Sequence, residues 1–145
     1  MIERDMRVRL GHVRLGYVSA LIGASLACGT STSPDSFVPS GTWGGDHALL
    51  TITGTAAAIE FDCAHGTLQA PLALTHGDFD VAGEFIQEHG GPIRDGEQVV
   101  RRPARYRGTI DKQTMTLRVA LTDTPQEIGT FTLTLGVSGR VFKCV

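Results

Sequence analysis

From residue 41 onward the chain holds a single serine, Ser138, in a tight turn, with nothing in the pattern to set a histidine and an acid beside it. A serine hydrolase needs that triad, so acyl transfer of this kind is not expected. Also missing is any run of roughly 18 to 20 apolar residues, which rules out a membrane-spanning helix. No stretch of about ten residues or more carries helical spacing past Gly41. Without helices there is no Gly-rich strand-to-helix loop to cradle phosphates and no helix to present a His-Glu-x-x-His site. The pairs Glu60/Asp62 and Asp78/Asp80 alternate outward, where solubilising charges belong, instead of facing each other across a cleft as glycoside hydrolysis requires. The reading is non-enzymatic, with no cofactor.

What is present begins with a leader. Arg4, Arg7, Arg9 and Arg14 precede an uncharged run over 15–27, too short to span a bilayer, and Ser25 and Ala27 fit a cleavage site. Residues 1–27 are therefore expected to be a signal peptide. Four of the 13 basic and two of the 15 acidic residues lie in it, which leaves the rest at about −4, a balance that does not suit nucleic acid. Ser25, Leu26, Ala27, Cys28 and Gly29 resemble the bacterial lipoprotein cleavage box, in which a small residue precedes a cysteine that takes diacylglycerol. The resemblance implies lipidation of Cys28, a membrane partner through that anchor and residence on the bacterial cell envelope. The sequence departs from the family in its aliphatic residue, Leu26, which lies two positions before the cysteine and not three, so cleavage after Ala27 into the periplasm or medium stays open. Residues 28–40, rich in Ser, Thr and Pro, read as a flexible tether.

The remainder, 41–145, reads as one all-β domain. Met115, Leu117, Val119 and Leu121 share one face, against Thr114, Thr116, Arg118 and Thr122; Phe131, Leu133, Leu135 and Val137 repeat the alternation. Strands are expected at 43–53, 57–63, 66–72, 78–87, 103–111, 114–122, 127–135 and 139–145. Short turns join most of them, so the expected architecture is an eight-stranded antiparallel up-and-down barrel, the alternative being an open two-sheet sandwich. Gly41, Thr42 and Trp43 form a Gly-x-Trp that is similar to the opening of the calycin barrels, the lipocalins and avidins. That resemblance implies a tryptophan plugging one end, with Arg140 packed on it.

Counting strands up and down places Trp43, Cys63, Cys144, His47, His65 and His89 toward one end, with the long 88–102 connection, and His76 at the other. Three cysteines in an exported chain leave one over, which lipidation of Cys28 would absorb. Cys63 and Cys144 are then expected to pair in an oxidising compartment, closing a loop of about 80 residues and contributing roughly 3 to 4 kcal/mol. As members of strands flanking the first, they would sit roughly 9 to 10 Å apart unless the C-terminus curls inward. The competing use is a tetrahedral zinc site from Cys63, His65, Cys144 and either His47 or His89. His65 and His76, each before a glycine, read as turn residues. His89, Arg94, Arg101 and Arg102 are the candidate ligand residues of the long loop; Arg105 and Arg107 are expected to face Glu84 across strands. The functional expectation is an exported module that binds a small apolar ligand or a partner protein; an inhibitor acting through the 88–102 loop and a metal-binding barrel are the alternatives.

Overall fold

The structure, a computed structural model, describes residues 36–91, 96 and 98–144. The leader, Cys28, Arg94 and most of the tether fall outside these residues. Ten strands follow one another: β1 (Ser36–Phe37), β2 (Gly41–Gly45), β3 (Ala48–Ile52), β4 (Ala57–Phe61), β5 (Ala64–Leu68), β6 (Ala73–Leu74), β7 (Asp78–Gln87), β8 (Arg101–Asp111), β9 (Thr114–Leu121) and β10 (Glu127–Leu135). Eight of them close into an antiparallel barrel in the order β2, β3, β4, β5, β7, β8, β9, β10, with β10 returning to β2. The barrel is thus the observed architecture and the open sandwich is not.

The eight strands are not the eight expected. The single strand foreseen over 43–53 is a hairpin: Trp43 pairs with Leu50 and Gly45 with Ala48, and the chain reverses at Asp46 and His47, the latter at φ 67°. The strand foreseen over 139–145 is no barrel member; its only ladder contact is an isolated parallel bridge between Asp46 and Arg140. The two departures cancel, so the count survives. Val137, expected to continue the row of Phe131, Leu133 and Leu135, lies beyond β10 and is exposed.

Inward positions fill the lumen. Trp43, Leu50, Ile59, Tyr106, Leu117 and Leu133 come from six different strands and have no exposed surface, which is the packed interior an eight-stranded barrel allows. Apolar burial on this scale, about 25 cal/mol per Å², is the main force holding the sheet closed. One end of the barrel, the His76 end, is covered by β1 pairing with β6 and by buried Val38, Leu72 and Leu74. Residues 36–40, read as tether, thus belong to the fold. Trp43 points this way, its Nε1 donating to Pro39 O at 3.1 Å. It therefore does not join the cysteine end, and Arg140 pairs with Asp46 there at 3.0 Å. The opposite, His47 end carries the turns at 46–47, 62–63 and 122–126 and the long 88–100 connection.

Candidate functional site

The His47 end is floored by rings. Phe61 ends β4, Phe85 lies on β7 and Phe131 on β10, all on inward positions, and their rings meet across the lumen at 5.8 Å (Phe61–Phe85) and 5.1 Å (Phe61–Phe131), tilted by 47° and 43°. Both separations fall within the range of about 4.5 to 7 Å over which aromatic rings interact. Above the rings lies a cup of about 300 Å³, bounded by Ala64 and Ile128 and rimmed by His47, Asp62, Gln87, Gln126 and Glu127.

The rim groups lie at turns and strand ends and are held by hydrogen bonds. His47 Nδ1 donates to Asp62 Oδ2 at 2.5 Å, linking the β2–β3 and β4–β5 turns. Asp62 Oδ1 accepts the Phe142 amide at 2.8 Å. That backbone hydrogen bond, helped by His47, holds the Asp62 carboxyl below its ordinary value. Gln87 Nε2 donates to Cys63 O at 2.8 Å, which leaves its Oε1 as an acceptor. Glu127 accepts from Arg118 Nε at 2.6 Å and from Nη2 at 2.9 Å, and the guanidinium lowers its pKa.

Residues 137–144 strap the outside of this end. After Gly136 the chain turns back and crosses Gly44, where any Cβ would collide with the backbone at 137–139. Arg140 N donates to Gly45 O, His47 N to Arg140 O and Cys63 N to Phe142 O. Cys63 and Cys144 are joined as a disulfide with their Cα atoms 4.9 Å apart. They reach this distance because Cys144 lies alongside the β4–β5 turn and not on a strand flanking β2, and because Cys63 occupies the turn itself at φ 50°. Lys143 pairs with Glu60 and, at 3.0 Å, with Glu88. Burial opposes the Glu88 charge, but hydrogen bonds from His65 and Lys143 outweigh it and hold the carboxyl below its ordinary range.

The other sequence candidates divide. His76 is a turn residue at φ 53°, whereas His65 sits within β5 and donates Nδ1–H to Glu88 at 2.6 Å. The disulfide consumes both sulfurs of the zinc alternative, and His47 and His65 each face a different carboxylate. His89 Nδ1 donates to Gly90 O. Arg101 and Arg102 are not loop residues but the start of β8: Arg101 pairs with Glu84 at 3.0 Å, and Arg102 with Asp123 at 2.8 Å. Glu84 is thereby taken from Arg105 and Arg107, which share Asp80 instead; Asp80 stands directly across from Arg107. Arg101 and Arg102, candidate ligand residues in the sequence, are thus engaged by carboxylates.

Sequence reasoning missed Phe61, Phe85, Phe131, Gln126 and Glu127 as a group. Strand parity and the end-counting used for the histidines carried the signal, since all three phenylalanines are inward positions near one end.

No protein-family model, no curated protein and no solved structure matches this chain. The chemistry of the site therefore speaks alone. A cup with an apolar floor and a few converging polar groups can bind and orient a small molecule. Among the described residues there is no group of three or more metal-ligating side chains.

Proposed function

We propose that this chain is a non-enzymatic binding module, exported and held on the bacterial envelope through a lipid on Cys28, that takes the apolar part of a small ligand into the cup at the His47 end. The observation that carries the reading is the ring floor of Phe61, Phe85 and Phe131 beneath a polar rim. Because side chains fill the lumen, an apolar ligand has its place at the mouth and not inside the barrel. The disulfide supports an oxidising compartment, and the leader and lipoprotein-like box support export and tethering.

Uptake of a fluorescent apolar probe tests the binding role. The probe should bind, and Phe131→Ala should weaken it while Val137→Ala, outside the cup, should not. Equal uptake by both variants would overturn the reading. Accurate mass after expression with the native leader tests the anchor: a diacylglycerol-sized increment on a chain starting at Cys28 is expected, and an unmodified start would remove the tether.

A second reading rests on Val99 and Val100, which are 61% and 67% exposed beside β8. Two adjacent exposed valines suit a protein partner engaged through the long connection, foreseen over 88–102 and ending in the structure at residue 100. Pull-downs with and without that loop decide it, and unchanged partners after deletion would sink it.

A further inference from the structure

We infer that the cup at the His47 end selects a small organic ammonium, an apolar body carrying one cationic head, over neutral or anionic ligands of the same shape. The inference rests on the proposed binding role and adds the charge of the ligand to it.

Three observations meet here. The carboxylates lining the cup are Asp62 and Glu127, with His47 beside Asp62, and no lysine or arginine lines it among the described residues. Asp62 and Glu127 are both kept ionised by their hydrogen bonds, the first by the Phe142 amide and the second by Arg118. With a neutral imidazole the His47–Asp62 pair keeps one negative charge at the rim. Arg118 bonds both oxygens of Glu127 and offsets its charge, but of that pair only Glu127 lines the cup.

Beneath the rim, the tilted rings of Phe61 and Phe131, their centroids 5.1 Å apart, line the cup, and an aromatic face attracts a cation held within about 6 Å of its centroid. Gln87 Oε1 adds a further acceptor. An ammonium head therefore finds acceptors above and rings below. A carboxylate of equal size would meet Asp62 and the Arg118-paired Glu127, with no lysine or arginine in the lining to receive it. The volume, about 300 Å³, lies at the small end for ligand sites and fits a single ring with a short head.

The test titrates the exported protein, disulfide intact, with benzylammonium, benzyl alcohol and benzoate, following the Phe131 ring resonances by NMR. Benzylammonium should bind about tenfold more tightly than either of the others. Asp62→Asn should reduce that preference. Because Asp62 also anchors the strap, Gln126→Lys provides the independent variant, adding a cation at an exposed rim position. It should weaken benzylammonium, strengthen benzoate and leave benzyl alcohol unchanged. If all three probes shift Phe131 with equal affinity, the cup is a ligand site and the charge selection is wrong. If none shifts it, both this inference and the proposed role fall.

Discussion

The amide of Phe142 donates to Asp62 Oδ1 at 2.8 Å, while the carbonyl of Phe142 accepts from Cys63, the residue after Asp62. The end of the chain is thereby fastened to the β4–β5 turn beside the disulfide as well as through it. The strap is a docked segment with its own polar contacts, and the covalent bond adds to an arrangement already specified.

Removing the disulfide should therefore loosen the chain without opening the barrel. Cys63→Ala with Cys144→Ala should cost about 4 kcal/mol by loop-closure entropy, since the bond spans 81 residues. The melting temperature should drop on the order of 15 °C. Circular dichroism at 25 °C should remain that of the β-sheet, because no barrel hydrogen bond is lost. An unchanged melting temperature would show that the bond does not constrain the unfolded chain.

In that same double variant the strap should detach in acid. Asp62 and Glu88 both have folded-state values below their ordinary ones, so the docking free energy they contribute is complete above the unfolded-chain values near pH 4 and is lost as pH falls through the lower folded values. Protection of the Phe142 and Cys63 amides against hydrogen exchange, relative to the intrinsic rate at each pH, should fall below about pH 4 and be kept near pH 6. In the oxidised protein the loss of protection should be smaller, since the bond keeps the strap at the turn. Protection independent of pH in the double variant would remove the carboxylates from this role.

Much of this was legible in the residues, for a physical reason: a barrel strand must alternate, and alternation is written in the sequence. β7, β9 and β10 match their expected ranges to within a residue. The β2–β3 hairpin was hidden because both of its arms are rich in apolar residues. Its trace is a parity slip: Trp43 and Gly45 are odd, and Ala48, Leu50 and Ile52 are even, which a single strand cannot bury on one face. The strap misled in the opposite way, since its β-favouring Val141 and Phe142 imitate a strand while its hydrogen bonds go largely to turns. The cup was invisible as a site because phenylalanine in a strand reads as core. Here it is core, and it is also a floor.

Tyr106 links the filled lumen to a spectroscopic readout. Its hydroxyl donates to Glu84 O at 2.8 Å, it has no exposed surface, and burial pushes its pKa well up. The sequence contains one other tyrosine, Tyr17, within the expected leader. The processed chain should therefore show no phenolate absorbance through about pH 10, where a free tyrosine ionises. Stability should fall as pH rises past that value, because the unfolded chain loses the proton first. Tyr106→Phe should cost about 1 to 2 kcal/mol by leaving the Glu84 carbonyl short of a donor. Phenolate at the ordinary pH in a folded chain would contradict the burial.

Two glycines under the core rings should both be destabilised by alanine but differ in whether shortening the neighbouring ring rescues them. A Cβ at Gly108 would collide only with the ring of Phe79, whereas a Cβ at Gly83 would meet the ring of Tyr106 at 2.7 Å and also run into the backbone carbonyl of Thr67. Side chains can be shortened and backbone cannot. Gly108→Ala alone should destabilise by about 1 to 3 kcal/mol through overpacking. In the double variant with Phe79→Leu much of that cost should disappear, giving a coupling of about 1 kcal/mol or more between neighbours. Gly83→Ala should remain destabilising when Tyr106 is shortened to Leu, because the β5 carbonyl still occupies the space. Denaturant midpoints for the two cycles decide the matter. Rescue at Gly83, or its absence at Gly108, would mean that these rings do not set the spacing between the strands they cross.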